Sequence, residues 1–314
     1  MKNGTNRRDF LQMALATIAT TGFFPWGDWA GVMGSSSAHA GEASTLAVAK
    51  NGLPEAMVRA AIGKLGGMEA FVSRGDVVVV KPNIGWDRKP EQAANTHPEV
   101  VKTVVAMCLN AGAKQVRVMD RTCNDPRRCY RRSGIQEAVL SLDNPDATIE
   151  YMDDRKFVDV PLKNPEGSLK SWTFHRDLLE ADKVINVPVA KHHNATRLTM
   201  GLKNIMGILG GNRGNIHHSL DLNIAELNAA FKFHLVVLDA VRVLTANGPQ
   251  GGRLRDVREE NTIIAGVDPV AVDSYGATLF GLSATDIPHV IHAARLGLGE
   301  SDLNKINLSL MDLG

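Results

Sequence analysis

Short apolar runs and amphipathic stretches alternate along most of the chain. Residues 77–80 are four consecutive valines after the turn Arg74-Gly75-Asp76, the pattern of a strand buried on both faces. Residues 98–111 carry helical spacing, with Thr96 as the expected N-cap and Gly112 as the stop. Residues 115–120 read as the next strand. Residues 148–152 and 157–162 read as two more, separated by Asp153-Asp154-Arg155-Lys156. Residues 183–189 form a strand expected to end in a corner at Lys191-His192-His193. Beyond it the pattern predicts a helix over 220–231, a strand over 235–238 running into Asp239, and a strand over 262–265. Helices over 269–280 and 287–296 and a closing strand over 306–311 complete the series.

Strands alternating with helices predict an α/β fold, a mixed and largely parallel sheet flanked by helices. The polar stretch 143–166 fits either a hinge between two lobes around a cleft or a surface hairpin. No repeat of fixed period is present.

The first forty residues follow a different rule. Arg7-Arg8-Asp9-Phe10-Leu11 sets a twin-arginine pair before a moderately apolar stretch, and Ser37-Ala38-His39-Ala40 has the small residues that a signal peptidase reads. Cleavage is expected after Ala40, leaving a domain of residues 41–314. The expected partner of this leader is the twin-arginine translocation machinery, and the expected compartment is the periplasm. A retained membrane anchor is disfavoured because Gly22, Pro25, Gly27 and Asp28 interrupt the apolar stretch.

Composition narrows the classes. The 314 residues carry 35 Lys+Arg against 34 Asp+Glu and are 44% hydrophobic, too apolar and too balanced for a disordered chain. Near-neutrality gives no electrostatic reason to expect a nucleic-acid partner. Without the leader the two signs balance at 32 each. Three cysteines cannot alone hold a four-thiolate iron–sulfur cluster, so none is expected. Cys123 and Cys129 flank a short loop and, in an oxidising compartment, are expected to pair, with Cys108 a buried thiol; the competing reading is a reactive or metal-binding Cys123.

Candidate chemistry concentrates between Asn186 and Asp221, which hold His192, His193, His217 and His218, Lys191 and Lys203, and five glycines. Ends of parallel strands are where open α/β sheets place ligands. His193 is a candidate acid–base group, and His192, His217 and His218 are candidate ligands for a nickel, zinc or iron ion. Neither His pair has the His-x3-His spacing of a helical zinc site, and helix capping or hydrogen bonding in a polar cleft would explain them equally. Lys203-Asn204 interrupts an apolar stretch, where a lysine acts as base, nucleophile or anion clamp unless it snorkels to the surface. Lys81 and Asn83 leave the end of the first valine strand, Asp120 ends the next, and His97 opens the helix between. With Lys191 and Asn204 they are candidate binding residues for a small anionic molecule. Asp268 is expected to cap a helix. Asp273, on an apolar helical face, is a further catalytic candidate. The turn 247–252 is a lid or only a connection.

The segments KPNIGW (81–86), AGA (111–113), RRSGI (131–135), INVPVAKHH (185–193), TMGLKNIMG (199–207), NGPQGG (247–252) and AGVDPVAVD (265–273) together resemble the domain of unknown function 362 family in its twin-arginine-exported, single-domain form. Some relatives carry a ferredoxin-like cysteine motif that this chain lacks. A weaker resemblance reaches nickel-pincer lactate racemases, in the order of His193, Lys203, and His217 or His218. That parallel implies a nickel-pincer-like cofactor tethered at the lysine. The Lys203 context, Gly-Leu rather than Gly-Gly-x, departs from the racemase pattern. Two functional expectations follow. One is an exported metal- or cofactor-dependent oxidoreductase or racemase moving a hydride or proton on a small anionic substrate. The other is a non-catalytic periplasmic binding or assembly factor for a redox complex.

Overall fold

The computed structural model describes residues 44–163 and 165–314; the expected leader, 1–40, lies outside the described residues. Strands β1 (Thr45–Lys50), β2 (Val77–Pro82), β3 (Gln115–Val118) and β4 (Ala147–Ile149) are separated by helices α1 (Pro54–Lys64), α2 (Pro98–Asn110), α3 (Pro126–Arg132) and α4 (Ile135–Leu140). There follow β5 (Phe157–Pro161), β6 (Ser171–His175), α5 (Arg176–Leu179), β7 (Lys183–Val187), β8 (Val189–His193) and β9 (Arg197–Thr199). The chain continues through α6 (Leu220–Ala229), β10 (Leu235–Leu244), β11 (Val257–Gly266), α7 (Pro269–Thr278), α8 (Pro288–Arg295) and β12 (Asn307–Asp312).

Ten strands form one mixed sheet in the order β12-β1-β11-β10-β7-β2-β3-β4, with β8 joining β10 and β9. The β10–β7–β2–β3–β4 run is parallel throughout, and β11 lies antiparallel to both β1 and β10. β5 and β6 make a separate antiparallel ribbon. The stretch 143–166 thus divides between an edge strand of the main sheet and this ribbon. Ala43–Gly314 form one compact unit.

The core follows from strand alternation, which sends successive side chains to opposite faces. Val78, Val80, Ile185, Val187, Leu235, Val237, Ile263 and Ala265 pack on one face against Met57, Val58 and Ile62 of α1 and Val100, Val104 and Cys108 of α2. Val236, Leu238 and Ile264 point the other way, onto Ile224 of α6, Val270–Val272 of α7 and Val290 of α8. Val79 joins that second side too, in a cluster with Met119, Phe174, Ile205 and Ile208. The valine run is buried on both faces, as its uninterrupted apolarity requires.

Three local expectations are corrected. The N-cap of α2 is His97, whose Nδ1 accepts the Glu99 amide at 3.2 Å. Thr96 instead ties two strand ends, donating to the Val187 carbonyl at 2.7 Å and accepting the Asn83 amide at 2.8 Å. Lys191-His192-His193 is not a corner: it forms the end of β8, which hairpins into β9. Cys123 and Cys129 are not bridged. All three cysteines are free, because Cys129 faces inward from α3 toward the Gly85 carbonyl while Cys123 faces Arg213.

Candidate functional site

Because β2, β3 and β7 run parallel, their C-terminal ends share one edge of the sheet, and the side chains beyond them converge. The result is a small solvent-open cleft, with a cavity volume of about 80 Å³. It is lined by Lys81 and Asn83 from the end of β2, Asp120, Arg121 and Cys123 beyond β3, and Lys191 and His193 of β8. Lys203, Asn204, Gly207 and Arg213 close it from the glycine-rich segment. Five cationic side chains face a single carboxylate.

The floor is a buried ion pair, Lys81 Nζ to Asp120 Oδ1 at 2.9 Å. Lys81 also donates to the Asn204 carbonyl at 2.6 Å, and Asp120 Oδ2 accepts the Ile84 amide at 2.6 Å. Burial pushes Lys81 down and Asp120 up, while each charge opposes the other's shift. Gly207 lies directly over the pair: a Cβ there would overlap both Asp120 Oδ1 and the Lys81 ammonium. The glycine is needed for close approach, not for backbone freedom.

A relay of amides fixes the side wall. Lys191 Nζ donates to Asn83 Oδ1 at 3.2 Å and to the Ala94 carbonyl. Asn83 Nδ2 donates to Asn204 Oδ1 at 3.1 Å, and Asn204 Nδ2 donates to Asn186 Oδ1 at 2.7 Å. Asn186 in turn donates to the Gly201 carbonyl at 2.9 Å. Burial lowers Lys191 to about 7, with Lys81 and Lys203 adding to the shift against the opposing charges of Cys123 and Asp120. Lys203 is lowered to about 8, again chiefly by burial. His193 is held down to about 3 by burial and by the neighbouring Lys203, Lys191, His217 and His192, so it is a neutral imidazole at neutral pH.

Two arginines that sequence reading missed stitch the rim. Arg213 donates to the carbonyls of Arg121, Met206 and Thr122 at 3.0, 3.1 and 2.6 Å. Arg121 donates to the Leu209 and Gly211 carbonyls at 2.8 and 3.1 Å and lies over the Phe157 ring. Arg121 follows Asp120 at a strand end, and Arg213 is the charged residue among the glycines; those positions were the available signal. The turn 247–252 contributes Pro249 to the wall and is anchored by the Gly248 amide on His192 Nδ1 at 3.1 Å.

Not every candidate reaches the cleft. His97 caps α2, with its own amide on Asp239 Oδ2 at 2.7 Å, and burial lowers it to about 4. Asp273 is fully buried and accepts the amides of Gly201 and Leu202, so it positions the glycine-rich segment and does not face the cleft. Asp268 caps α7, accepting the Ala271 amide at 2.8 Å. His217 and His218 are exposed on a 3-10 turn, with His217 Nδ1 beside the Arg213 and Gly214 carbonyls. Asp221 sits 3.2 Å from His289, not from His217.

Among the described residues no three His, Cys, Asp or Glu side chains converge on a position that could hold a metal ion. His192, His217 and His218 do not converge as a three-donor set, whereas His193 and Lys203 line the same cleft.

The family model for the domain of unknown function DUF362 matches residues 78–278, from β2 through α7, and so includes every residue lining the cleft. The chain is a DUF362 protein. This DUF362 chain is 30% identical over 251 residues to a thylakoid-associated protein of a Synechocystis species, covering 77% of this chain and 75% of that one. It is also similar to the lactate racemase apoprotein of Thermoanaerobacterium thermosaccharolyticum, with a TM-score of 0.39 and 10% identity over 70% of this chain. The chain spans 54%, about half, of that racemase. No helix among the described residues is long and apolar enough to cross a membrane.

Proposed function

We propose that this DUF362 protein is an enzyme that binds a small organic anion in the strand-end cleft and moves a proton on it. The observation that carries this reading is the charge of the lining: Lys81, Lys191, Lys203, Arg121 and Arg213 against Asp120 alone. With Lys81 neutralised by Asp120, a surplus of cations remains in a partly buried space, where an anionic group of the ligand is held more strongly than in water. Lys191 and Arg213 clamp the anion. Neutral His193, whose Nδ1 accepts the Ala195 and Thr196 amides at 3.1 and 3.3 Å, keeps Nε2–H as a donor for the ligand, and Lys203, with its lowered proton affinity, exchanges a proton near neutral pH.

Thermal-shift and calorimetric titration with oxalate, malonate and inorganic phosphate tests the reading. Millimolar anion should raise the melting temperature, and Lys191→Met should weaken that effect at least about tenfold, the loss of one buried charge-assisted contact. No stabilisation by any of the three anions would overturn it.

The leader supports export through the twin-arginine machinery, and the thylakoid association of the Synechocystis relative is compatible with work beside a membrane. A fusion of residues 1–45 to a reporter that is active only outside the cytoplasm tests this. Export that persists after Arg7→Lys and Arg8→Lys together would refute the route.

A further inference from the structure

The three cleft lysines are not equivalent. Lys81 is tied to Asp120 and the Asn204 carbonyl, and Lys191 to Asn83 and the Ala94 carbonyl. Those partners take up N–H groups of both amines and hold them in place as donors. Lys203 is 6% exposed, yet makes no hydrogen bond or ion pair with any described residue. It opens the 3-10 turn Lys203–Ile208, whose Ile205 and Ile208 are packed in the apolar cluster with Phe174. An amine that opens onto the cleft from a mostly buried side chain, with cations around it and no partner among the described residues, is poised as a nucleophile.

We propose that Lys203 forms an imine with the carbonyl group of a 2-oxo acid whose carboxylate is held by Lys191 and Arg213. The proposal rests on the anion-binding reading of the cleft and adds the class of substrate to it. The Lys203 Nζ lone pair adds to the carbonyl carbon, and the C=O π pair moves to oxygen. A nitrogen proton passes to that oxygen, and the Nε2–H of neutral His193, on the same cleft, is a donor for it. The C–O bond then breaks, the second nitrogen proton leaves with the oxygen as water, and the C=N bond forms. No oxidant or further reactant is consumed. The imine then draws electrons from the adjacent carbon, which is the proton-transfer chemistry proposed for the site. A low proton affinity at Lys203, about 8, keeps a reactive fraction of free amine at neutral pH.

The test is reductive trapping. The mature protein is mixed with pyruvate and borohydride, its intact mass measured, and the adduct located by peptide mapping, while calorimetry without borohydride records pyruvate binding. One reduced pyruvyl group on Lys203, displaced by oxalate and lost in a folded Lys203→Met variant, is the expected result. Adducts scattered over surface lysines and insensitive to oxalate would overturn the proposal. So would pyruvate binding without trapping, which leaves the anion-binding reading intact. Absence of both pyruvate and oxalate binding would overturn both.

Discussion

The carboxylate of Asp273 accepts the backbone amide of Gly201 at 2.7 Å, and its other oxygen accepts that of Leu202 at 2.9 Å. A fully buried helix side chain thereby fixes the start of the turn that carries Lys203. Asp273→Asn replaces one acceptor with a donor facing a donor, and should destabilise the fold by about 1–3 kcal/mol while weakening oxalate binding. Burial raises the Asp273 carboxyl to about 7. The folded state thus holds this proton better than the unfolded chain, so the stabilising contribution is full below about pH 4 and declines as pH rises through about 7. Urea unfolding of both proteins across that range should show the gap between them narrowing with pH. A constant gap would mean that Asp273 titrates normally.

Gly207→Ala tests whether close approach over the floor of the cleft is essential. The added methyl meets Asp120 Oδ1 and the Lys81 ammonium, a buried pair with little room to move. Overpacking of this kind costs about 1–3 kcal/mol, and separating the pair adds to it. Expected are a clear drop in melting temperature and loss of oxalate binding. A variant with wild-type values for both would show that the segment relaxes freely.

The strand ends were legible in the sequence because a fully buried parallel strand must be apolar without interruption, so polarity returns where the sheet edge begins. Lys81, Asn83, Asp120, Lys191 and His193 were all found at such edges. His97 and Asp273 misled for a related reason. A buried polar side chain signals function or backbone capping with equal force, and only the tertiary partners, Glu99 N for one and Gly201 N for the other, separate the two. Arg121 and Arg213 were invisible because arginines beside loops are ordinary surface residues until two segments 90 or so positions apart are brought together. The two histidine pairs lie on a strand and on an exposed turn, and how far apart those stand depends on chain geometry that spacing does not encode.

Anion binding should take up protons. In the empty cleft Lys191 and Lys203 sit near 7 and 8, well below the ordinary lysine value. A bound anion favours the ammonium forms and raises both. Affinity for oxalate is therefore greatest below about pH 7 and falls as pH rises through about 8 and beyond, by up to about tenfold per pH unit for each proton taken up. Calorimetry in buffers of different ionisation heat counts the protons directly. Affinity that stays level from about pH 6 to about pH 9, or proton release, would contradict the assignment.

Thiol reactivity distinguishes the cysteines. Cys123 is exposed in the lining of the cleft, whereas Cys108 and Cys129 are buried and their thiols pushed up, Cys129 to about 11. Iodoacetamide reacts with thiolate, so the native protein should lose one thiol quickly and all three only on unfolding. Oxalate should slow the fast step. A native protein from an oxidising compartment with one thiol even when unfolded would establish the Cys123–Cys129 bridge and a rearranged α3.

The Lys81–Asp120 pair poses a sharper question, whether it is there for stability or for the ligand. Both residues are almost wholly buried, Lys81 at 0% and Asp120 at 3% exposure. Asp120→Asn strands the lysine charge, at a cost of about 3–5 kcal/mol, whereas replacing both charges by apolar groups of similar volume is often neutral or favourable. Lys81→Met with Asp120→Leu should therefore be more stable than Asp120→Asn alone, a departure from additivity that a double-mutant cycle measures. Yet the double variant loses one cation and the carboxylate that hold the floor of the cleft, so its oxalate binding should fall at least about tenfold. Stability restored while binding is lost would assign the pair to ligand recognition. If both are restored together, the ion pair is a feature of the fold and the Lys191–Arg213 clamp holds the anion without it.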